Sequence, residues 1–365
     1  MAALKDLYSP AFYDNFSNSL LATVPSFNKK EFIKKIFTKD FEHKELKARM
    51  KHTTEVLHDF LPKDYRKTVM IIQKTITELR KNNTEGRLEF IFFPDYIETY
   101  GIDDFDTSMK AIEFITQFVS CEFAVRPFII KYGNKMIDQM KAWSLHKSEH
   151  VRRLASEGSR PRLPWAMALP ALKKDPQSIL PILNNLKNDP SEYVRRSVAN
   201  NLNDIAKDNP AIVLQIAAKW KGKSKETDAI IKHGSRTLLK QGHTEILKHF
   251  GLDSKHISLS NFTITNPTIK IGDSLAFSFS IRNDSVKKQT VRIEYAVYYK
   301  RQKSLAGKKV FKISEKTYQP KEKITIQRKQ KFTIITTRKF YIGDHQLSII
   351  INGKEGKPQN FELID

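Results

Sequence analysis

Carboxylates set among arginines at helical spacing are the first features of this chain that suggest chemistry. Arg153 and Glu157 are four apart and share a helix face. Arg196, Asn200, Asn203 and Asp204 fall at i, i+4, i+7 and i+8 on another. Lys232, Arg236 and Lys240 form a third, weaker stripe at i, i+4 and i+8. Rows of cations along one side suit a polyanion, phosphates above all. A carboxylate in such a row repels phosphate and needs a reason. Acids placed there can stabilise positive charge growing on a substrate, or orient and deprotonate a water. The ordinary alternative for Glu157 is a solvated pair with Arg153, worth about a few tenths of a kcal/mol. For Asp204 it is a surface acid beside Lys207. Glu122 lies between Cys121 and Phe123 in a mostly apolar stretch, where a carboxylate must be paired or functional. Arg126, four residues on, is its ordinary partner.

The elements that must hold these residues are helices, for a short pattern recurs. Ser148-Glu149-His150-Val151-Arg152-Arg153 returns about forty residues later as Ser191-Glu192-Tyr193-Val194-Arg195-Arg196, a period typical of HEAT-type paired helices that stack because one unit cannot bury its apolar face alone. Val151, Leu154 and Ala155, then Val194, Val198, Leu202 and Ile205, form the core-facing stripes. The helical period also marks 44–60, 65–81, 106–119 and 131–145. Glu157 precedes Gly158 and is expected at an exposed helix end. The break Ser156-Glu157-Gly158-Ser159-Arg160-Pro161-Arg162-Leu163-Pro164 leads to Trp165, which either starts a helix over 165–172 as a core anchor or presents its face to a cationic ligand. Trp143 and Trp220 read as packing.

Past residue 256 the pattern changes to short alternating, β-branched runs at 259–265, 274–282, 290–300, 309–318, 324–327, 345–351 and 361–364, separated by turn residues. Seven such runs are the pattern of an immunoglobulin-like sandwich. The expected organisation is a helical HEAT-like solenoid over 1–254 and a β-sandwich over 257–365, joined near Gly251–His256. The net charge of +23 and pI of about 9.8 are unusual for a metabolic enzyme and ordinary for a binder of nucleic acid or anionic surfaces. The β-sandwich is the more densely basic part, with 21 Lys and Arg against 9 Asp and Glu. Lys300, Arg301, Lys303, Lys308 and Lys309 cluster there on an expected hairpin tip with Gly307 in the turn.

Other classes are disfavoured. The start of the chain lacks the apolar core of a signal peptide, and the densest apolar run, Phe90-Ile91-Phe92-Phe93, stops at Pro94, far short of a membrane span. Cys121 is the single cysteine, so neither an internal disulfide nor a cysteine-rich zinc site is expected. His146 and His150 are too loosely spaced from carboxylates for a metal site, and no glycine-rich phosphate loop is present. We therefore expect no metal, no cofactor and no membrane, in a soluble, reducing compartment.

Three blocks carry a family resemblance: 121–128 (Cys121-Glu122-Phe123-Ala124-Val125-Arg126-Pro127-Phe128), 156–165, and 194–207 with its Val194-Arg195-Arg196 and Asn203-Asp204. Together they resemble the AlkC branch of the bacterial HEAT-repeat DNA alkylation-repair glycosylases over most of residues 1–250, and the β part resembles the Ig-like extension of some members. The resemblance implies a monomeric, cytoplasmic bacterial enzyme, at the nucleoid when bound to DNA. It would hydrolyse the N-glycosidic bond of 3-methyladenine and 3-methylcytosine in double-stranded DNA, without a cofactor and without flipping the base. It further implies Glu157, Asp204 and Glu122 as catalytic acids and Trp165 as the lesion or sugar contact. Arg153, Arg160, Arg196, Arg236 and Lys232 would grip phosphate, with Lys300, Arg301, Lys303, Lys308 and Lys309 from the β part. Two rivals remain: a non-catalytic nucleic-acid-binding scaffold, in which acids among the cations would be wasteful, and a protein–protein adaptor.

Overall fold

The computed structural model describes residues 3–301, 305–334 and 339–365. Its helices in chain order are α1 (Pro10–Thr23), α2 (Lys29–Ile36), α3 (Leu46–Phe60), α4 (Tyr65–Lys81), α5 (Phe92–Tyr100), α6 (Phe105–Ile115), α7 (Val125–Tyr132), α8 (Asn134–Trp143), α9 (Glu149–Gly158), α10 (Pro170–Lys174), α11 (Leu180–Leu186), α12 (Glu192–Asp208), α13 (Pro210–Trp220), α14 (Lys225–Gly234), α15 (Arg236–Lys240) and α16 (Thr244–His249). Several start on side-chain caps that satisfy otherwise orphaned amides: Ser9, Asn28, Asp64 and Asp104 each accept from the backbone N–H three residues on. The apolar stripes of the repeat go where their spacing sends them. Val151, Leu154, Ala155, Val194, Val198, Leu202 and Ile205 are all buried, and α12 packs against α9 on one side and α14 on the other. No described helix is long and apolar enough to cross a membrane.

Three helical expectations are corrected, each by backbone chemistry. The stretch 131–145 is not one helix, because Gly133 takes φ +51° and separates α7 from α8. The stripe Lys232, Arg236 and Lys240 spans two helices, since α14 ends at Gly234 and α15 begins at Arg236. A Cβ on Gly234 would lie 2.8 Å from Leu202 Cβ, so α14 ends in close contact with α12. The helix over 165–172 does not form. Trp165 has φ +64°, and only Pro170–Lys174 is helical.

The sandwich has two sheets. One is ordered β1 (Ile257–Ile264), β3 (Ser274–Asn283), β6 (Lys323–Lys331). The other is β2 (Thr268–Lys270), β9 (Gln359–Ile364), β7 (Gly343–Ile351), β4 (Gln289–Lys300), β5 (Leu305–Tyr318), with β8 (Lys354–Glu355) paired to β7. All seven anticipated strands are present. Pairing is antiparallel except between β2 and β9, and Phe277, Phe279, Val291, Ile293, Leu347 and Ile349 meet in one core. Gly307 does not form the turn after β4. It sits within β5 opposite Tyr299, with Lys308 opposite Tyr298 and Lys309 opposite Val297.

By internal contacts the chain forms two compact units. One is Met1–Val213 with Trp220–Gly234, and the other is Leu214–Lys219 with Ser235–Asp365. The short helices α15 and α16 therefore group with the sandwich.

Helix α5 carries two acids that burial disfavours. Asp95 is 7% exposed and its carboxyl is pushed up, mainly by burial. Glu98 is pushed from 4.5 to about 7, by burial first and then by the charge of Asp95, with Lys51 and Lys47 offsetting part. An acid whose folded-state pKa is raised binds more protons folded than unfolded between those values, so it lowers stability as pH rises through that window. Glu98→Gln is expected to raise Tm at pH 8 and to leave it nearly unchanged near pH 4. Equal shifts at both pH values in thermal melts would show that Glu98 is not the titrating group.

Candidate active site

Helices α9 and α12 meet along a polar seam. From α9 and the residues after it come Ser156, Glu157, Ser159 and Arg160; from α12 come Ser197, Asn201 and Asp204, at i, i+4 and i+7. Asn201 Nδ2 donates to the Ser156 carbonyl at 2.8 Å and to Ser159 Oγ at 3.2 Å. Ser197 Oγ donates to Glu157 Oε2 at 2.6 Å. Arg160 closes the seam: its Nη1 lies 2.6 Å from Glu157 Oε1 and its Nε 2.8 Å from Asp204 Oδ2. Lys207 Nζ reaches Asp204 Oδ1 at 3.0 Å. Both acids are buried, Glu157 to 5% exposure and Asp204 to 1%.

The expectation of an exposed Glu157 at a helix terminus is thus corrected. The end of α9 packs too tightly for exposure, since a Cβ on Gly158 would sit 2.4 Å from Val125 Cγ2 and 3.0 Å from Met140 Cε. The expected i,i+4 contact with Arg153 exists at 3.6 Å but is the longer of the Glu157 ion pairs. Asp204 does pair with Lys207, yet from a buried position and on the Ser197 face, one step round the helix from Arg196, Asn200 and Asn203.

Glu122 joins the cluster through Arg153. The Arg153 Nη1 bonds the Glu122 carboxylate directly and donates to Ser120 Oγ at 2.7 Å, while Ser120 Oγ donates to Glu122 at 2.7 Å. The Arg153 guanidinium also lies 4.9 Å from the Tyr193 ring centroid. Burial works against the Arg153 charge; Glu122 and then Glu157 more than offset it, so its pKa stands above the ordinary value. Arg160 is raised in the same way, by Glu157 and Asp204 against burial. Arg126 does not hydrogen-bond Glu122. It is fully buried and gives Nη1 to the carbonyls of Gly158 at 3.0 Å and Arg160 at 2.8 Å, and Nε to that of Met167 at 2.6 Å. Burial, then the like charge of Arg160, lowers its pKa to about 10, which still leaves it charged at neutral pH. Three carboxylates thus share one network with Arg126, Arg153, Arg160 and Lys207.

Of the other expected site residues, Trp165 is 60% exposed, which removes its reading as a core anchor, whereas Trp143 and Trp220 are buried as packing residues. Arg196 is exposed on α12. Lys232 lies in the last turn of α14 and Arg236 at the start of α15, in different compact units. Lys300, Arg301, Lys308 and Lys309 line a cleft of about 640 Å³ with Tyr299, Phe340, Tyr341 and His345. Lys308 there is paired with Glu355 at 2.5 Å. Lys303 falls outside the described residues. Among the described residues no group of three metal-ligating side chains converges.

Ser120 and Ser197 were not singled out from the sequence, and Arg126 and Lys207 entered only as ordinary ion-pair partners of Glu122 and Asp204. Ser197 carried a signal, since it is one turn before Asn201 and at i, i+7 with Asp204. Arg126 carried none, because every carbonyl it grips is more than thirty residues away.

Residues 33–238 match the family described as DNA alkylation repair enzyme, and residues 258–365 match the C-terminal Ig-like domain of uncharacterised protein YhaZ. The chain is 44% identical over 364 residues to the uncharacterized protein YhaZ of Bacillus subtilis (strain 168), with all of both chains covered. It is also similar, at 34% identity, TM-score 0.93 and full coverage of both chains, to the Pseudomonas fluorescens alkylpurine DNA glycosylase AlkC, solved bound to DNA containing an abasic site analog. A helical repeat array followed by an Ig-like sandwich, matched end to end in this way, places the chain in the DNA alkylation repair enzyme family.

Proposed function

We propose that this protein is a DNA glycosylase that hydrolyses the N-glycosidic bond of alkylated bases, 3-methyladenine and 3-methylcytosine among them, in duplex DNA and without flipping the base. The observation that carries the reading is the network in which Glu122, Glu157 and Asp204, from segments far apart in sequence, are held together by Arg153 and Arg160 beside an exposed tryptophan. The likeness to a glycosylase along the whole chain supports it. A base alkylated at N3 is cationic and leaves with the bonding electrons of the N–C1′ bond, so no protonating acid is needed. Positive charge then grows on the deoxyribose. Carboxylates fixed in advance stabilise that charge at little reorganisation cost and accept the proton of the water that adds to C1′. The logic is that of glycoside hydrolysis without its leaving-group acid.

One observation favours a second reading, a DNA-binding protein without excision activity. Each acid is neutralised by an internal cation, so the acids do not repel phosphate as bare carboxylates would, and a pure binder tolerates them. Abasic-site formation on a duplex containing 3-methylcytosine, read on a gel after alkaline cleavage, separates the two. Under the glycosylase reading, Glu157→Gln and Asp204→Asn lower excision by about a hundredfold or more while circular dichroism and affinity for damaged duplex are kept. Wild-type excision by Asp204→Asn would sink the assignment.

Phosphate contact is assigned chiefly to Arg196, the exposed member of the repeated pair, which makes no ion pair among the described residues. Arg196→Ala should weaken binding equally for lesioned and plain duplex and reduce the slope of log K against log salt by about one. Arg153→Ala, which leaves the half-buried Glu122 without its guanidinium while Glu157 keeps Arg160 and Ser197, should instead lower stability by about 1–3 kcal/mol in denaturant melts. Identical behaviour of the two variants would refute this division.

In the sandwich, Lys300 and Arg301 are exposed at the end of β4, and we assign them to DNA backbone. Neutralising both as Gln should reduce the salt slope by about two and weaken duplex binding, whereas Lys308→Gln, already paired with Glu355, should change the slope less. An unaltered slope in the double variant would leave the sandwich without this role.

A further inference from the structure

Residues 159–169 leave α9 and double back, closed by the Leu169 amide donating to the Pro161 carbonyl at 3.1 Å. Trp165 rides on this excursion with its left-handed backbone. That conformation costs a bulky residue about 1–3 kcal/mol and persists only where the surroundings over-determine it. Three cations supply the restraint. Arg126, from α7, holds the carbonyls of Gly158, Arg160 and Met167. Arg162, within the excursion, grips Asp208 at the end of α12 with two bonds of 2.8 and 2.6 Å. The third is Lys47 on α3, 118 residues earlier in sequence, whose ammonium donates to the carbonyl of Trp165 itself.

Lys47 is exposed on a surface helix, where a lysine ordinarily waves in solvent. Its ammonium is instead caught twice, by the Trp165 carbonyl and by the ring of Phe123, 5.4 Å from the centroid. Phe123 adjoins Glu122, so the one ammonium ties the Trp165 excursion to the segment that bears an acid of the network. Arg126 and Arg162 hold the ends of the excursion. The peptide after the tryptophan is held on its N–H side by the Ala166 amide donating to the Leu163 carbonyl at 3.3 Å, and on its carbonyl side by Lys47.

We propose that Lys47 is a positioning residue for base excision: it fixes the Trp165 peptide, and through it the direction in which the indole meets the lesion. The inference rests on Trp165 being the lesion contact, as proposed above.

The test uses Lys47→Met, which keeps the stem and removes the donor, and Lys47→Arg, which restores one. Fluorescence quenching by aqueous iodide reads Trp165 selectively, because Trp143 and Trp220 are only 2% and 3% exposed. Lys47→Met is expected to raise quenching and lower tryptophan anisotropy with Tm essentially kept, as befits an exposed side chain. It should also lower kcat for excision roughly ten- to a hundredfold, the scale of a small misplacement, with affinity for plain duplex little changed. Lys47→Arg should recover both signals. Unchanged quenching in Lys47→Met would overturn the proposal, and so would increased quenching with an unchanged kcat. Wild-type excision by Trp165→Ala would instead remove the lesion-contact reading, and the quenching result would still report whether Lys47 holds the peptide.

Discussion

The bond set of the Arg160 guanidinium is what the rest of the helical unit is arranged around. It takes Glu157 from one repeat and Asp204 from the next, and both carboxylates lie where water does not compensate them. Removing such charges from water costs several kcal/mol per ion unless geometry and additional hydrogen bonds repay it. The repayment is visible atom by atom: Ser197 on the second oxygen of Glu157, Lys207 on the second oxygen of Asp204, and Arg126 on the carbonyl of Arg160. Each of these depends in turn on α9 and α12 keeping their rotation and spacing, which the apolar stripes enforce, while the bare backbone at Gly158 lets the end of α9 sit close on α7 and α8. The core therefore serves the ion network as much as the network serves the core.

The two copies of the repeated hexapeptide isolate what tertiary context adds to local sequence. Arg153 and Arg196 occupy the same place in the motif, one turn before Glu157 and Asn200 respectively. Arg153 meets Ser120, Glu122 and the ring of Tyr193 and becomes part of the interior. Arg196 faces outward beside the Asn200–His233 contact and keeps its charge for something else. The hexapeptides differ only in His150 against Tyr193, three residues before each arginine, and Tyr193 packs on Arg153, not on Arg196. The difference comes from the segment 120–123, supplied by an earlier part of the chain that the repeat itself does not encode.

That contrast marks the limit of what the sequence made legible. Apolar periodicity placed Tyr65–Lys81 and all seven main strands, because period is a property of neighbours in the chain. It misplaced 131–145, 165–172 and the Lys232 stripe, where a single glycine or a clamped loop overrules the period. The acids Glu122, Glu157 and Asp204 were readable as a set only through resemblance to a family. Their burial and their partners were not readable, since Arg160 sits in a break that has no period at all. Helix phase would have moved Asp204 from the Arg196 face to the Ser197 face had Ser197, Asn201 and Asp204, at i, i+4 and i+7, been weighed together. The grip of Arg126 and Lys47 on backbone carbonyls had no sequence signature, for a carbonyl is offered by every residue.

The charge arrangement also resolves the oddity of acids in a chain of net charge +23. Counted as side chains, Glu122, Glu157 and Asp204 weaken a basic surface. Counted as a network with Arg126, Arg153, Arg160 and Lys207, they leave a small positive excess, so phosphate approaching this region meets no net repulsion. The same pairing keeps the carboxylates pre-oriented in a poorly solvated seam, where a positive charge developing nearby is felt more strongly than in water. Under the glycosylase reading proposed above, the cations that neutralise the acids towards the polyanion would also fix them for a cationic transition state, and one set of ion pairs would serve both DNA binding and the chemistry.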